Sequence, residues 1–230
     1  ALLNDLKAEY GMSILLITHD LGVAAQMADR LIVMYAGRIV EQAPADRFFS
    51  QPLHPYTAGL LKSITTMDSD RSEPLYTIEG SPPNAAEFPS GCRFHPRCPF
   101  ADEKCRREAP ALVESEGHAV ACWHIDQLQT EQRTVKDRAS GVKVKAPHAP
   151  LSNQGNETPL FEVKQVTKHY RIRGAFGRTR AVIHAVDDVS FSIFKGETFG
   201  LVGESGSGKS TLGRVLIQLE KATSGQVWFQ

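Results

Sequence analysis

Gly203-Glu204-Ser205-Gly206-Ser207-Gly208-Lys209-Ser210, followed by Thr211, is the stretch that decides the fold. It fits the phosphate-binding loop pattern G-x-x-x-x-G-K-[ST]. Its glycines let successive backbone N–H groups face a phosphate, and the positive end of the following helix points to the same place. In this pattern Lys209 reaches the outer phosphates, and the Ser210 hydroxyl is a ligand for magnesium. The alternative is a flexible Gly/Ser loop that binds nothing.

The sequence on both sides of the loop favours phosphate binding. The apolar run 198–202 predicts a strand that leads into the loop, and a helical pattern begins at about Lys209. Further strands are predicted near 160–170 and 186–193, with a basic surface loop at 171–180 between them. A strand, a glycine-rich turn and a helix in this order are typical of an α/β domain.

The first 65 residues also alternate helix and strand. In order, the predicted elements are a helix ending at Gly11, a strand at 13–18, a helix from Asp20, a strand at 31–35, a returning hairpin strand at 38–41, and helices near 45–50 and 56–64. Short apolar strands separated by helices predict a parallel sheet that is covered on both faces.

The middle of the chain divides into three segments. Residues 66–91 carry four prolines with little periodicity and predict an irregular connector. Residues 92–124 hold all four cysteines, and the polar stretch 126–158 predicts a flexible linker. The predicted domain boundaries are therefore 1–65, 66–125, 126–158 and 159–230. Both ends look cut from something longer, because Ala1 already lies in a helical pattern and the final strand, 226–230, has nothing after it to pair with.

The composition excludes several classes of protein. Lys+Arg and Asp+Glu are both 26, so the chain lacks the basic excess of a general nucleic-acid-binding protein. The hydrophobic content of 41% and charged content of 23% argue against a fully disordered, collagen-like or coiled-coil chain. No apolar run approaches the roughly 18 residues of a transmembrane helix, and the N-terminus lacks the pattern of a signal peptide.

The second part of the chain resembles the start of an ATP-binding cassette (ABC) nucleotide-binding domain. The resemblance rests on Tyr170, the hairpin 189–193 before Lys195-Gly196-Glu197, and 201–211. It implies that Tyr170 stacks on adenine, although an ordinary strand tyrosine is the alternative. It also implies that ATP and Mg²⁺ are bound by the loop residues Gly203, Glu204, Ser205, Gly206, Ser207, Gly208, Lys209, Ser210 and Thr211.

Residues 1–65 resemble the end of such a domain. The apolar strand at 14–18 followed by His19-Asp20, and the later sequence MYAGRIVE at 34–41, are similar to the segment that carries the switch histidine of the family. The resemblance implies that His19 contacts the γ-phosphate and helps to organise the attacking water. Open α/β sheets bind ligands at the carboxyl ends of their strands, which agrees with this role. A structural histidine is the alternative.

Neither cassette part is complete. Both lack an LSGGQ-like signature and an apolar strand ending in Asp-Glu. The expected fold is therefore α/β, with the C-terminal part of one ABC domain and the N-terminal part of another joined by a cysteine-rich extension and a linker, as in the middle of a fused two-cassette ATPase. The resemblance implies that His19 and Lys209 lie in different ATP sites, and that the chain alone binds nucleotide weakly without hydrolysing it.

Residues 52–57, Pro-Leu-His-Pro-Tyr-Thr, resemble the C-terminal extension of oligopeptide and dipeptide importers. The same stretch predicts a proline-capped helix start. The resemblance implies an ATPase at the cytoplasmic face of the membrane that works with membrane-spanning permease subunits, a second cassette and, indirectly, an external peptide-binding protein. Import of nickel or another small solute, a non-catalytic metal-bound interaction module, and a GTPase or other P-loop enzyme are the alternatives.

Cys92, Cys98, Cys105 and Cys122 are close enough in sequence to predict a shared role. Disulfides are disfavoured in the reducing compartment where an ATPase works. The spacing lacks the C-x2-C pairs of zinc ribbons, and four thiolates suit iron–sulfur or zinc. The resemblance to importers with a four-cysteine extension implies a [4Fe–4S] cluster. Zinc, with His95, His118 and His124 as further candidate ligands, and unligated thiols are the alternatives.

Overall fold

A computed structural model describes residues 2–64, 76–134, 158–173 and 179–230 of the chain. The helices are α1 (Leu2–Tyr10), α2 (Leu21–Met27), α3 (Ala45–Ser50), α4 (Pro55–Lys62), α5 (Glu103–Arg107), α6 (Ile125–Thr134) and α7 (Lys209–Leu216). The strands are β1 (Ile14–Ile17), β2 (Arg30–Tyr35), β3 (Arg38–Pro44), β4 (Val113–Ser115), β5 (His118–Val120), β6 (Phe161–Arg173), β7 (Thr179–Ile193), β8 (Thr198–Val202) and β9 (Ser224–Phe229).

The strands form two sheets. The larger sheet has six strands in the order β1-β8-β2-β3-β5-β4. Its first three strands are parallel, as predicted, whereas β3, β5 and β4 continue it in antiparallel pairs. The smaller sheet has the order β7-β6-β9 and is antiparallel.

The central strand of the larger sheet comes from the far end of the sequence. β8 lies between β1 and β2, with Ile17 opposite Leu201 and Val33 opposite Val202. That the two ends are parts of separate cassettes of a longer protein stays a prediction, whereas in this structure they build one sheet. The physical reason is that β8 satisfies the backbone hydrogen bonds of both neighbouring strands and is itself buried along its whole length.

Side chains on the two faces of this sheet enter two different cores. Along β2, Leu31, Val33 and Tyr35 belong to a core with α2 and α3, whereas Ile32 and Met34 belong to a core with β7 and α7. Successive side chains of a strand point to opposite faces, so the alternation along β2 divides it between the two cores. This arrangement confirms the prediction of a sheet covered on both faces.

The caps of two helices explain local features of the sequence. The Asp20 carboxylate accepts a hydrogen bond from Val23 N at 3.1 Å and caps α2. His54 caps α4, with Nδ1 accepting from Tyr56 N at 3.1 Å and Pro55 at the first helical turn. The predicted proline-capped helix start is therefore confirmed. Burial lowers the pKa of His54 to about 3, so its imidazole stays neutral and can accept this bond.

Three segments differ from the sequence-based expectations. The residues predicted to begin a linker at 126 lie in α6, whose Leu128 side chain is only 2% exposed, and 135–157 lie outside the described residues. The predicted loop at 171–180 is strand on both sides, and 174–178 lie outside the described residues. Finally, β9 finds a partner in the earlier strand β6, with Phe229 opposite Phe161.

Candidate functional site

The loop 203–208 connects the buried strand β8 to the start of α7. Gly208 forms the N-cap of α7 with φ +104°, and Gly203 has φ +143°, both in the region that favours glycine. A Cβ at Gly203 would lie 2.3 Å from the carbonyl oxygen of Met34. The Ser207 carbonyl accepts a hydrogen bond from Gly37 N at 3.0 Å, so the β2–β3 turn supports the loop from below.

Lys209 lies at the centre of the loop. Its Nζ donates hydrogen bonds to the carbonyl oxygens of Gly203 at 2.8 Å and Glu204 at 2.7 Å, and to Ser207 Oγ at 3.2 Å. Burial lowers the pKa of this ammonium group, and the nearby Glu204 carboxylate opposes that shift. The loop is therefore closed around a partly desolvated cation, which suits an anionic ligand that brings its own oxygens.

A cavity of about 700 Å³ opens above this loop. Its wall includes residues from the carboxyl end of β1, from β7, from α4 and from the loop; these are Ile17, Thr18, His19, Leu21, Leu60, Ala85, Ile183, Ala185, Gly203, Glu204, Ser205, Gly206, Gly208, Lys209, Ser210 and Thr211. The cavity lies at the carboxyl ends of parallel strands, where open α/β sheets bind ligands.

The assignment of His19 and Lys209 to different ATP sites of the complete protein stays a prediction; in this structure both residues line one cavity. They meet because β1 and β8 are adjacent parallel strands and the carboxyl ends of such strands share one edge of the sheet. His19 is exposed at the rim, whereas Lys209 is only 8% exposed.

Tyr170 does not line this cavity, in contrast to the predicted adenine contact. Its hydroxyl donates a hydrogen bond to the Glu220 carboxylate, and the Lys168 ammonium lies 4.9 Å from the centre of its ring. Its neighbour across the two strands, Ile183, lines the cavity instead.

Most of the predicted loop residues lie where an anion would meet them. Ser205, Gly206, Ser210 and Thr211 border the cavity, and Ser210 is exposed there as the first residue after the loop lysine. Ser207 is an exception, because its hydroxyl faces Lys209 and its side chain is buried.

Two residues from the first 125 positions contact the loop through Glu204, and neither contact was predicted from the sequence. The Glu204 backbone N–H donates to the hydroxyl of Tyr56 at 2.8 Å, and the Glu204 carboxylate pairs with Arg97. Tyr56 belongs to the Pro-Leu-His-Pro-Tyr-Thr stretch, and Arg97 precedes Cys98. The only signal was that both residues lie in motifs already singled out for other reasons.

The buried carboxylate of Glu41 organises the same stretch. It accepts hydrogen bonds from Leu53 N at 2.7 Å and His54 N at 2.9 Å, and His118 Nε2 lies 2.7 Å from it. Glu41 is completely buried. It therefore joins β3, the turn before α4 and β5.

The four cysteines lie in a segment that packs against the sheet, and all four are free thiols. The pKa of Cys98 is raised to about 12, mainly by burial and to a smaller extent by the nearby thiols of Cys122, Cys92 and Cys105. Burial likewise raises the pKa of Cys122 to about 11. The donors therefore lie within electrostatic reach of one another, as a shared metal centre requires.

A tighter group of potential ligands includes only one of these cysteines. Among the described residues, the ligand atoms of Asp102, Cys105 and His124 all lie within 4.8 Å of one another, and no other set of three or more does so. His124 Nε2 lies 3.2 Å from the Asp102 carboxylate. Two thiolates on a single zinc ion would be only about 3.8 Å apart. The four thiols are thus spread more widely than ligands of one zinc ion, and His95 and His118 face other partners.

Comparison with known proteins identifies two segments. Residues 40–105 match the family "Oligopeptide/dipeptide transporter, C-terminal region", and residues 186–230 match the family "ABC transporter". Within the described ranges, no helix combines the length and the apolar character needed to cross a bilayer.

Similar curated proteins carry related names. The chain is 38% identical over 220 residues to the oligopeptide transport ATP-binding protein OppD of Mycobacterium tuberculosis, covering 94% of the chain and 35% of that protein. It is 48% identical over 132 residues to AppD of Bacillus subtilis, covering 57% of the chain and 40% of that protein. For OppD of Salmonella typhimurium the identity is 48% over 122 residues, with 53% and 36% covered. The chain thus spans little more than a third of the length of these relatives. Together with the loop and its cavity, these matches show that the chain is similar to the ATP-binding proteins of ABC transporters, in the oligopeptide/dipeptide class.

Proposed function

We propose that the cavity between His19 and Lys209 binds ATP with magnesium. The observation that carries this proposal is the loop 203–208, closed around Lys209 at the start of α7. A phosphate chain in the cavity would meet the Lys209 ammonium, the N–H groups of the loop and the positive end of the helix. These three features select for a polyphosphate over a neutral ligand.

The chemistry that this arrangement supports is phosphoryl transfer to water, which depends on positioning and charge stabilisation. Lys209 would exchange its carbonyl partners for phosphate oxygens, and the exposed Ser210 hydroxyl is the candidate magnesium ligand. His19, at the rim, is placed to contact the terminal phosphate and to orient a water molecule. Tyr170 would need to leave Glu220 to stack on a base, so the apolar wall at Ile183 is the better candidate for the base contact.

Titration of the protein with ATP and Mg²⁺ by calorimetry tests this proposal. Lys209→Ala should abolish binding, because it removes the buried cation at the centre of the loop. Lys195→Ala, which removes an exposed lysine, serves as the control and should bind as the wild type does. Equal affinity in the Lys209 variant and the control would contradict the assignment.

We also propose that the complete protein couples ATP hydrolysis to uptake of oligopeptides or dipeptides. Support comes from the match at residues 40–105 and from the names of the relatives. The expected partners are membrane-spanning permease subunits, a second cassette and, indirectly, an external peptide-binding protein, with the ATPase at the cytoplasmic face of the membrane. Uptake of labelled peptide should fail in cells whose complete protein carries the Lys209 change. Failure of nickel uptake with normal peptide uptake would favour the alternative substrate.

The cysteine segment is a candidate metal centre, and we propose a [4Fe–4S] cluster held by Cys92, Cys98, Cys105 and Cys122. The donor set fits, because four free thiols, one buried and three partly buried, can bind such a cluster as thiolates once the metal offsets their raised pKa. Their wide separation suits a cluster better than one zinc ion. The cluster would hold this extension together.

Anaerobic purification tests the metal proposal. The protein should be brown, with broad absorbance near roughly 400 nm that is lost in Cys98→Ser. Colourless protein with one equivalent of zinc would instead favour a site that includes Asp102, Cys105 and His124.

A further inference from the structure

Arg97 holds the phosphate-binding loop by its Glu204 side chain. Nη1 donates to Oε2 of Glu204 at 2.8 Å and Nη2 donates to Oε1 at 3.1 Å, which is the paired geometry that suits guanidinium and carboxylate. The Arg97 side chain is 4% exposed and that of Glu204 is 27% exposed. The arginine side of the pair is therefore shielded from solvent. An ion pair is stronger where water is excluded.

Every N–H of the Arg97 guanidinium has a partner. Besides its two bonds to Glu204, it donates from Nε to the Glu79 carbonyl at 2.9 Å, from Nη2 to the Ile78 carbonyl at 3.2 Å, and from Nη1 to the hydroxyl of Tyr35 at 3.4 Å. A guanidinium has five N–H donors in a rigid fork, and here all of them are used. The orientation of Arg97, and hence of the carboxylate it holds, is fixed by residues outside the loop.

Tyr56 holds the backbone of the same loop residue. Its hydroxyl accepts from Glu204 N at 2.8 Å, and its fully buried ring lies 4.6 Å from that of Tyr35 and 5.4 Å from that of Phe94, centre to centre. The Glu204 carbonyl in turn accepts from Lys209 Nζ. Glu204 is thus the residue through which the extension reaches the loop lysine.

We propose that Arg97 and Tyr56 are positioning residues for the phosphate-binding loop, and that Arg97 also neutralises the Glu204 carboxylate beside the bound phosphates. The inference rests on the proposed ATP site. Without Arg97, Glu204 would place an unpaired negative charge at the edge of a site that must hold a polyanion. Without the Tyr56 hydroxyl, the Glu204 N–H of the loop would lose its fixed direction.

A double-mutant cycle separates this role from general support of the fold. Arg97→Gln should weaken ATP binding about tenfold, and Arg97→Lys, which keeps the charge but loses the fork, should weaken it less. Adding Glu204→Gln to Arg97→Gln should recover most of the lost affinity, because the unpaired charge is then gone. Arg107→Gln, which removes an arginine paired with Glu103 on the surface of the same segment, is the control and should bind as the wild type does.

The outcomes distinguish this inference from the proposed ATP site. If wild type and Lys209→Ala both fail to bind ATP, the proposed site is wrong and this inference falls with it. If wild type binds, Lys209→Ala does not, and Arg97→Gln binds normally, only the positioning role is overturned. Lost affinity that Glu204→Gln does not restore would show that Arg97 acts through the fold alone and would overturn the neutralising role. Should Arg97→Gln not fold, Tyr56→Phe, which removes one oxygen, decides the positioning role by whether its ATP affinity falls.

Discussion

Replacement of Glu41 by glutamine should destabilise the protein strongly. The side chain is fully buried, and both carboxylate oxygens accept hydrogen bonds, one from Leu53 N and one from His54 N, with His118 Nε2 as the third partner. Glutamine keeps the shape but offers a single acceptor oxygen. Its NH₂ group must then face a backbone N–H donor, whichever way the amide is turned.

The size of the effect follows from these contacts. One buried N–H loses its acceptor, which costs about 1–3 kcal/mol, and the remaining two bonds lose the strength that a charged acceptor gives them. A total loss of about 3 kcal/mol in the free energy of unfolding is expected, near the lower end of values for a broken buried charge pair. A loss of this size is a large fraction of the stability of an ordinary domain.

Urea-induced unfolding, followed by far-ultraviolet circular dichroism, measures this loss. The matched control is Glu116→Gln in the β4–β5 turn, where the carboxylate is 83% exposed and lies 3.9 Å from Arg47. The control should change stability by less than about 0.5 kcal/mol. A loss below about 1 kcal/mol for Glu41→Gln, or an equal loss in the control, would refute the view that this carboxylate organises the turn before α4.

Three further predictions concern the loop, the pH dependence and the linker. Gly208→Ala should cost more stability than Gly206→Ala in thermal unfolding, since both have positive φ but only at Gly208 would the new Cβ meet a backbone carbonyl, at 2.2 Å. Unfolded His54 takes up a proton near pH 6.5, whereas folded His54 does so only near pH 3. The free energy of unfolding should therefore fall as the pH drops below 6.5, by about 2 kcal/mol at pH 5. His54→Asn should flatten this pH dependence in urea titrations. Trypsin should cut within the polar stretch 135–157 before it cuts within α6, and mass spectrometry of the first fragments checks this order.

The order of helices and strands could be predicted because it depends on local patterns. The apolar runs of β1, β2 and β8, and the Asp20 and Pro55 signals at helix starts, lie within a few residues of the structure that they specify. The phosphate-binding loop was equally clear, since its glycines are required by the backbone itself.

Features that depend on distant contacts could not be predicted in the same way. The strands β4 and β5 are three residues each, and β4 is exposed throughout, so no periodicity marks it. Arg97 and Tyr56 are each more than a hundred residues away from Glu204 in the sequence. Their contacts with Glu204 depend on how the folded chain packs. The Tyr170 hydroxyl donates a hydrogen bond to Glu220, which lies 50 residues further along the sequence.

Strand pairing explains why the order of motifs along the chain did not reveal how they meet. A buried parallel strand is specified by its apolar side chains and by the backbone hydrogen bonds that its neighbours offer. Neither property determines which stretch of the chain becomes the strand between two given neighbours. β8 lies between β1 and β2 and pairs with both. Arg30 of β2 also forms an ion pair with the buried carboxylate of Glu197, which directly precedes β8. His19 and Lys209 then share a cavity because they follow adjacent parallel strands. The motif order indicates two cassette parts, whereas the pairing of their strands determines which residues face one ligand.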